Sequence, residues 1–234
     1  MLKIGFLPTP YSVELGPSPS PPIMVSLTLT VNTSRLVIRN GGITTSAYAT
    51  GDAGDITINA TEFVDIGDIN NIAPKHPWIN YLGASSRIHP YPEILRQPAA
   101  PSGFSGNVTI NTPVLRVIDD NAKVQVNNQG ISNGGTLRVN TNYIFLENGG
   151  TITAVTESGT GGNIELQARN LLLMRGNSEI SATAFGIGDG GNINITNPLL
   201  VAFPTEDSDI SANSRDRRGG NITINSSAII GTQF

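Results

Sequence analysis

The chain has 234 residues, no cysteine and a net charge of −4 from 14 basic and 18 acidic side chains. Charged residues make up only 14% of it, against ~25% in ordinary soluble domains, and 26 Gly with 24 Asn supply polarity in their place. This argues against a phosphate-reading nucleic-acid binder, a disulfide scaffold or thiolate metal site, and, for want of an apolar run of ~18 residues, a membrane-spanning helix.

Residues 1–26 read as a Pro-rich, non-repetitive lead that holds six of the 15 prolines. Its start, MLKIGFLPTP, is interrupted by Pro8 and Pro10 before an apolar core of secretory-signal length can form. Six more prolines lie between Pro74 and Pro101, leaving three for the rest of the chain. Proline cannot donate to a ladder, so sheet is expected where it is scarce.

From residue 27 the sequence repeats. Gly106-Asn107-Val108-Thr109-Ile110-Asn111 returns as Gly162-Asn163-Ile164, Gly191-Asn192-Ile193 and Gly220-Asn221-Ile222, with weaker copies at Gly54 and Gly135. From Gly106 onward the anchoring glycines step by 27 to 29 residues, while the 52-residue gap from Gly54 to Gly106 contains an insertion. A fixed period of this size is the mark of a stacked architecture. Each period carries three apolar segments. The first alternates, as in Ile193 and Ile195. The second is denser, as in Tyr143-Ile144-Phe145-Leu146 and Leu171-Leu172-Leu173-Met174. The third alternates again, through Ile43/Thr45, Val124/Val126, Ile152/Ala154, Ile180/Ala182 and Ile210/Ala212.

A β-sandwich would use the Asn-Gly pairs at Asn40, Asn133 and Asn148 as hairpin turns. It gives no reason for one strand triplet to recur every 27 to 29 residues, whereas a parallel β-helix does. The expected fold is therefore all-β: a right-handed single-stranded parallel β-helix over 27–234, of about seven coils with three short strands each, the hand following the crossover rule. Equivalent strands should pair one coil apart, with inward Ile, Val and Leu stacked and with Gly and Asn at positive-φ corners. A Pro- and aromatic-rich insertion at about 67–105 interrupts it. Excising roughly 24 residues between Asp68 and Gly103 is expected to leave the helix folded, since loop length costs little entropy.

The run from Gly190 to Asn213, with its Phe203-Pro204 and Asp209-Ile210 steps, followed by Gly219-Gly220-Asn221-Ile222-Thr223-Ile224-Asn225, resembles the repeats of large cyanobacterial filamentous-haemagglutinin-like exoproteins. The resemblance covers residues 28–234. It implies a β-helical, non-enzymatic adhesin-like stalk, exported by two-partner secretion through an outer-membrane partner to the cell surface or medium. A cell-surface glycan or matrix component would be its ligand, and no cofactor is implied. The family's secretion domain is absent and the chain stops part-way through a coil, so it reads as an internal piece of a longer exoprotein. Open strand edges at the C-terminal end, over Ile222, Ile224 and Ile229, are expected to drive self-association.

Few residues suggest chemistry, and no catalytic, cofactor or metal set is assigned. The insertion gathers His76, Trp78, Tyr81, His89 and Tyr91, and reads as a flap packing its aromatics on the outer surface, with ligand contact the sharper reading. Glu179 and Asp209 should stack on adjacent coils, preceded in that ladder by Thr151 and Lys123, with Glu206 and Asp207 at the neighbouring corner. A ~4.8 Å carboxylate spacing approaches the ~5–5.5 Å of retaining glycosidases, which makes a polysaccharide-processing β-helix the alternative function. A solvated pair, or a weak Ca²⁺ contact through oxygen ligands, needs fewer additional groups. Arg215, Arg217 and Arg218 form a basic corner, either a solvated turn or a contact for an anionic glycan. The Asn-x-Thr/Ser sequons at Asn32, Asn59, Asn107, Asn194, Asn221 and Asn225 follow from the strand pattern itself.

Overall fold

Alternating Ile, Val and Leu favour extended backbone with one face buried, and a 27- to 29-residue period lets each such face rest on its own copy. A computed structural model shows this arrangement; it describes residues 28–67, 80–88, 98, 100–203 and 205–231. Among these there are fourteen strands and no helix.

Two parallel sheets wind around one core. The first contains β1 (Leu29–Ile38), β3 (Ile56–Gly67), β5 (Val108–Asn111) with β6 (Val114–Ile118), β8 (Thr136–Glu147), β10 (Asn163–Met174), β12 (Ile193–Ala202) and β14 (Ile222–Ile230). The second contains β2 (Gly42–Ala47), β4 (Asn80–Ser86), β7 (Ala122–Asn128), β9 (Thr151–Thr156), β11 (Glu179–Ser181) and β13 (Asp209–Ser211). The order along both sheets follows the chain, so the molecule is a β-solenoid of about six turns.

The core is a set of ladders. Ile58, Ile110, Val139, Leu166 and Ile195 stack inside the first half of the long strands, and Val64, Leu115, Ile144, Leu172 and Leu200 inside the second. The second sheet adds Ile43, Leu82, Val124, Ile152, Ile180 and Ile210. The dense second segment has a simple origin: its alternate residues, among them Tyr143, Phe145, Leu171 and Leu173, are apolar and face outward.

Two expectations are corrected. The first and second segments of a coil are one long strand that bends, with a shift of register, between Gln167 and Leu172 in β10 or Thr33 and Arg35 in β1. In one turn the strand is divided, into β5 and β6 on either side of Thr112-Pro113, although Pro198 at the equivalent place leaves β12 continuous.

The 67–105 segment is not wholly extra to the coil. Its middle is β4, whose Leu82 and Ala84 are fully buried between Ile43/Thr45 and Val124/Val126. The excision expected to be harmless would remove that strand.

Of the six repeat-anchoring glycines, Gly106 alone has a positive φ, at 73°. Positive φ falls, as expected, mainly on Asn and Gly: Asn40, Asn148 and Asn177 with Gly67, Gly149, Gly176 and Gly231, joined by Asp119 and Asp207. The anchoring glycines stack backbone on backbone, so closely that a Cβ at Gly135 would lie 1.8 Å from the Gly106 carbonyl oxygen.

Candidate functional site

The second-sheet ladder falls as the repeat predicts. Tyr81, Lys123, Thr151, Glu179 and Asp209 occupy one register position on successive strands, which places the two carboxylates on adjacent rungs. Glu206 and Asp207 do not join them. Glu206 is held one turn away by Arg175, which donates from Nη2 at 2.6 Å and Nε at 3.1 Å, and by the Gly176 N–H at 3.0 Å. Arg175 also lies over the Phe203 ring at 4.6 Å. Asp207 takes a left-handed corner at φ 51°.

The Arg175 hydrogen bond holds the Glu206 carboxyl below its ordinary value near 4.5, with burial opposing it and the Gly176 N–H assisting. A depressed folded-state pKa adds stability that is present above the ordinary value and lost as pH falls through the depressed one. The urea midpoint of Glu206→Gln should therefore lie below that of the native chain at neutral pH, and the gap should close on acidification below 4.5. A gap independent of pH would show that the carboxylate's charge is not what closes this corner.

Of the aromatic and imidazole groups expected on a flap, Tyr81 is the one in the described set; His76, Trp78, His89 and Tyr91 lie outside the described residues. Tyr81 belongs to β4, with Arg87 6.0 Å from its ring centre, and burial pushes its phenol upward. Its ring lies over Gly83, where a Cβ would meet the Tyr81 hydroxyl at 2.5 Å. The basic corner is an exposed turn: Arg215 pairs with Asp216 at 3.3 Å, and the Arg218 N–H donates to Asp189 on the turn below. Among the described residues no group of three or more His, Cys, Asp or Glu is placed to hold a metal ion.

A different feature emerges at the strand bends. On the outer side, Asn32, Asn59, Asn111 and Asn140 form a ladder in which each Nδ2 donates to the preceding Oδ1 at 2.8–2.9 Å. The same register position continues through Gln167, Thr196 and Asn225, where the amide chain stops. Beside it run two open recesses. The larger, about 520 Å³, spans β3 to β10, and the smaller, about 330 Å³, spans β10 to β14. Gln167 and Arg169 line both, so together they form one groove along the solenoid axis. From Asn59 to Asn225 it crosses six rungs, roughly 24 Å at the ~4.8 Å strand spacing. The sequence showed its Asn, Thr and Ser one at a time as solvent-facing strand residues; the stacking of the bends assembles them.

Fold and surface together define a parallel β-solenoid with an amide-lined axial groove. Comparison of the chain with protein-family models, with curated proteins and with solved structures found no match.

Proposed function

We propose that this chain is a non-enzymatic, adhesin-like stalk segment of a surface or secreted exoprotein of the filamentous-haemagglutinin type. The observation that carries this reading is the uninterrupted stack: one core runs through all the turns, so the chain has a rigid length of roughly 29 Å over the seven rungs of the first sheet. A solenoid of this kind holds contact surfaces at a fixed distance from an anchor, which suits attachment to a cell-surface glycan or matrix. In this reading the helix is right-handed, as the crossover rule favours, and has seven coils with the last incomplete. Export would use an outer-membrane secretion partner. The edge of β14, with Ile222, Ile229 and Ile230 exposed, would meet either a following turn or a second copy of the chain.

The adjacent rungs of Glu179 and Asp209 support the second reading, a polysaccharide lyase or hydrolase. A reducing-end assay on pectin, alginate and bacterial exopolysaccharide separates the two. The stalk predicts no release above the protein-free blank. Turnover that disappears in Glu179→Ala would overturn it.

A further inference from the structure

We infer that the axial groove binds an extended acidic glycan, with a uronate seated between Arg169 and Asn197; this deepens the attachment reading above and rests on it.

The bends of four long strands are closed by a recurring bond, while β3 and β10 carry Ala60 and Ala168 at that place. Thr33, Thr112, Thr141 and Ser226 each donate a side-chain hydroxyl to the carbonyl two residues ahead, at 2.8–3.2 Å. Asn197 occupies the same place on β12, in register with Ser226, and makes no such bond. It is 4% exposed, and both its Oδ1 and its Nδ2 lack a partner. A buried amide with neither donor nor acceptor satisfied is uncommon and costly unless something else meets it. Asn197 lines the smaller recess, and a turn of its side chain toward that recess would bring the closed-off amide to a ligand lying there.

Arg169 stands where the two recesses join. Among the described residues it has no acidic partner, whereas Arg35, Arg116, Arg138, Arg175 and Arg215 each have one. No Asp or Glu lines either recess. The groove therefore offers one unneutralised guanidinium, suited to a carboxylate, within a row of amides and hydroxyls that can both donate and accept.

This chemistry selects among extended polymers. Nucleic acid requires a row of cations along its phosphates, and the groove has one on an acidic chain. A peptide strand binds through free backbone edges, and the backbone beside this groove is already paired within the sheet. A sugar chain matches better: its ring hydroxyls suit the side-chain amides, its repeat is close to the rung spacing, and its apolar ring faces can rest on Pro113 and Pro198, which line the two recesses.

The test is calorimetric titration of the full chain with oligogalacturonate and, separately, with a neutral maltooligosaccharide. Oligogalacturonate should bind at least tenfold more tightly. Arg169→Gln should remove that preference and leave the neutral sugar unaffected. Asn197→Thr restores the corner hydroxyl, so it should raise the melting temperature while weakening both ligands. Equal affinity of native chain and Arg169→Gln for oligogalacturonate, or no saturable binding of either sugar, would overturn the site. So would an Asn197→Thr chain that melts lower and binds as before. Release of new reducing ends during the titration would overturn the non-enzymatic reading and leave the site standing. Attachment to cells retained in both variants would overturn the site and leave that reading standing.

Discussion

Replacing Gly191 by Ala should destabilise the solenoid by about 3 kcal/mol, at the upper end of what overpacking usually costs. The added Cβ would lie 1.9 Å from the carbonyl oxygen of Gly162 and 2.8 Å from its carbon. Both are backbone atoms of the turn below, so no side chain can rotate aside. Retreat is also blocked, because Gly191 donates its N–H to the Ala182 carbonyl at 3.1 Å. Gly162 is similarly placed against Gly135, so displacement would pass to the next turn. Gly51→Ala is the control, since its Cβ would have nothing within 4 Å, and it should change stability by no more than about 0.5 kcal/mol. Urea unfolding of both variants decides the matter. Equal midpoints would mean that stacked glycines are not what lets the turns approach.

The second large effect concerns β4. Leu82→Ala should cost about 3 kcal/mol, as expected for a fully buried leucine whose neighbours cannot both collapse into the space. Of those neighbours, Val124 is fixed by the further ladder of β7 with β9, while Ile43 stands on β2, which among the described strands pairs with β4 alone. Excising Asn80–Ser86 should do more. It removes the strand between β2 and β7 and leaves unpaired N–H and C=O groups on both sides of the gap. Hydrogen exchange at Ile43 and Val124 is the direct readout, with protection at both expected to fall sharply. Native-like protection after the excision would show that β2 and β7 can close on each other without it.

That strand illustrates how much of the fold is visible in the residues. Repeat period, strand alternation and parallel stacking all follow from inward positions such as Ile164, Ile193 and Ile222, whose spacing no antiparallel scheme explains. The Glu179–Asp209 ladder is legible for the same reason, because register copies the period. Leu82-Gly83-Ala84 carries the third-segment pattern too, but its flanking prolines and aromatics give the whole stretch the composition of a loop. The bend between the first and second segments was hidden differently: a polar pair between two apolar runs looks the same whether the strand breaks or turns with a bulge. The anchoring glycines invite a positive-φ explanation, and only the distances between turns reveal close approach as the cause. The groove was the least visible feature, since it is built from outward residues far apart in the chain. Its one local sign is Asn197, an amide where three other turns place threonine, two alanine and one serine.

Parallel pairing sets how the molecule bears load. Hydrogen bonds between turns point along the solenoid axis, so axial tension pulls on them end to end, rung after rung, as links in series. Such a series is as strong as its weakest link. The links are uneven: in the second sheet, β4 and β7 have seven residues each, but β11 and β13 have three. Under tension the turns around β11 and β13 would peel first, while the wider rungs around β4 and β7 kept their pairing.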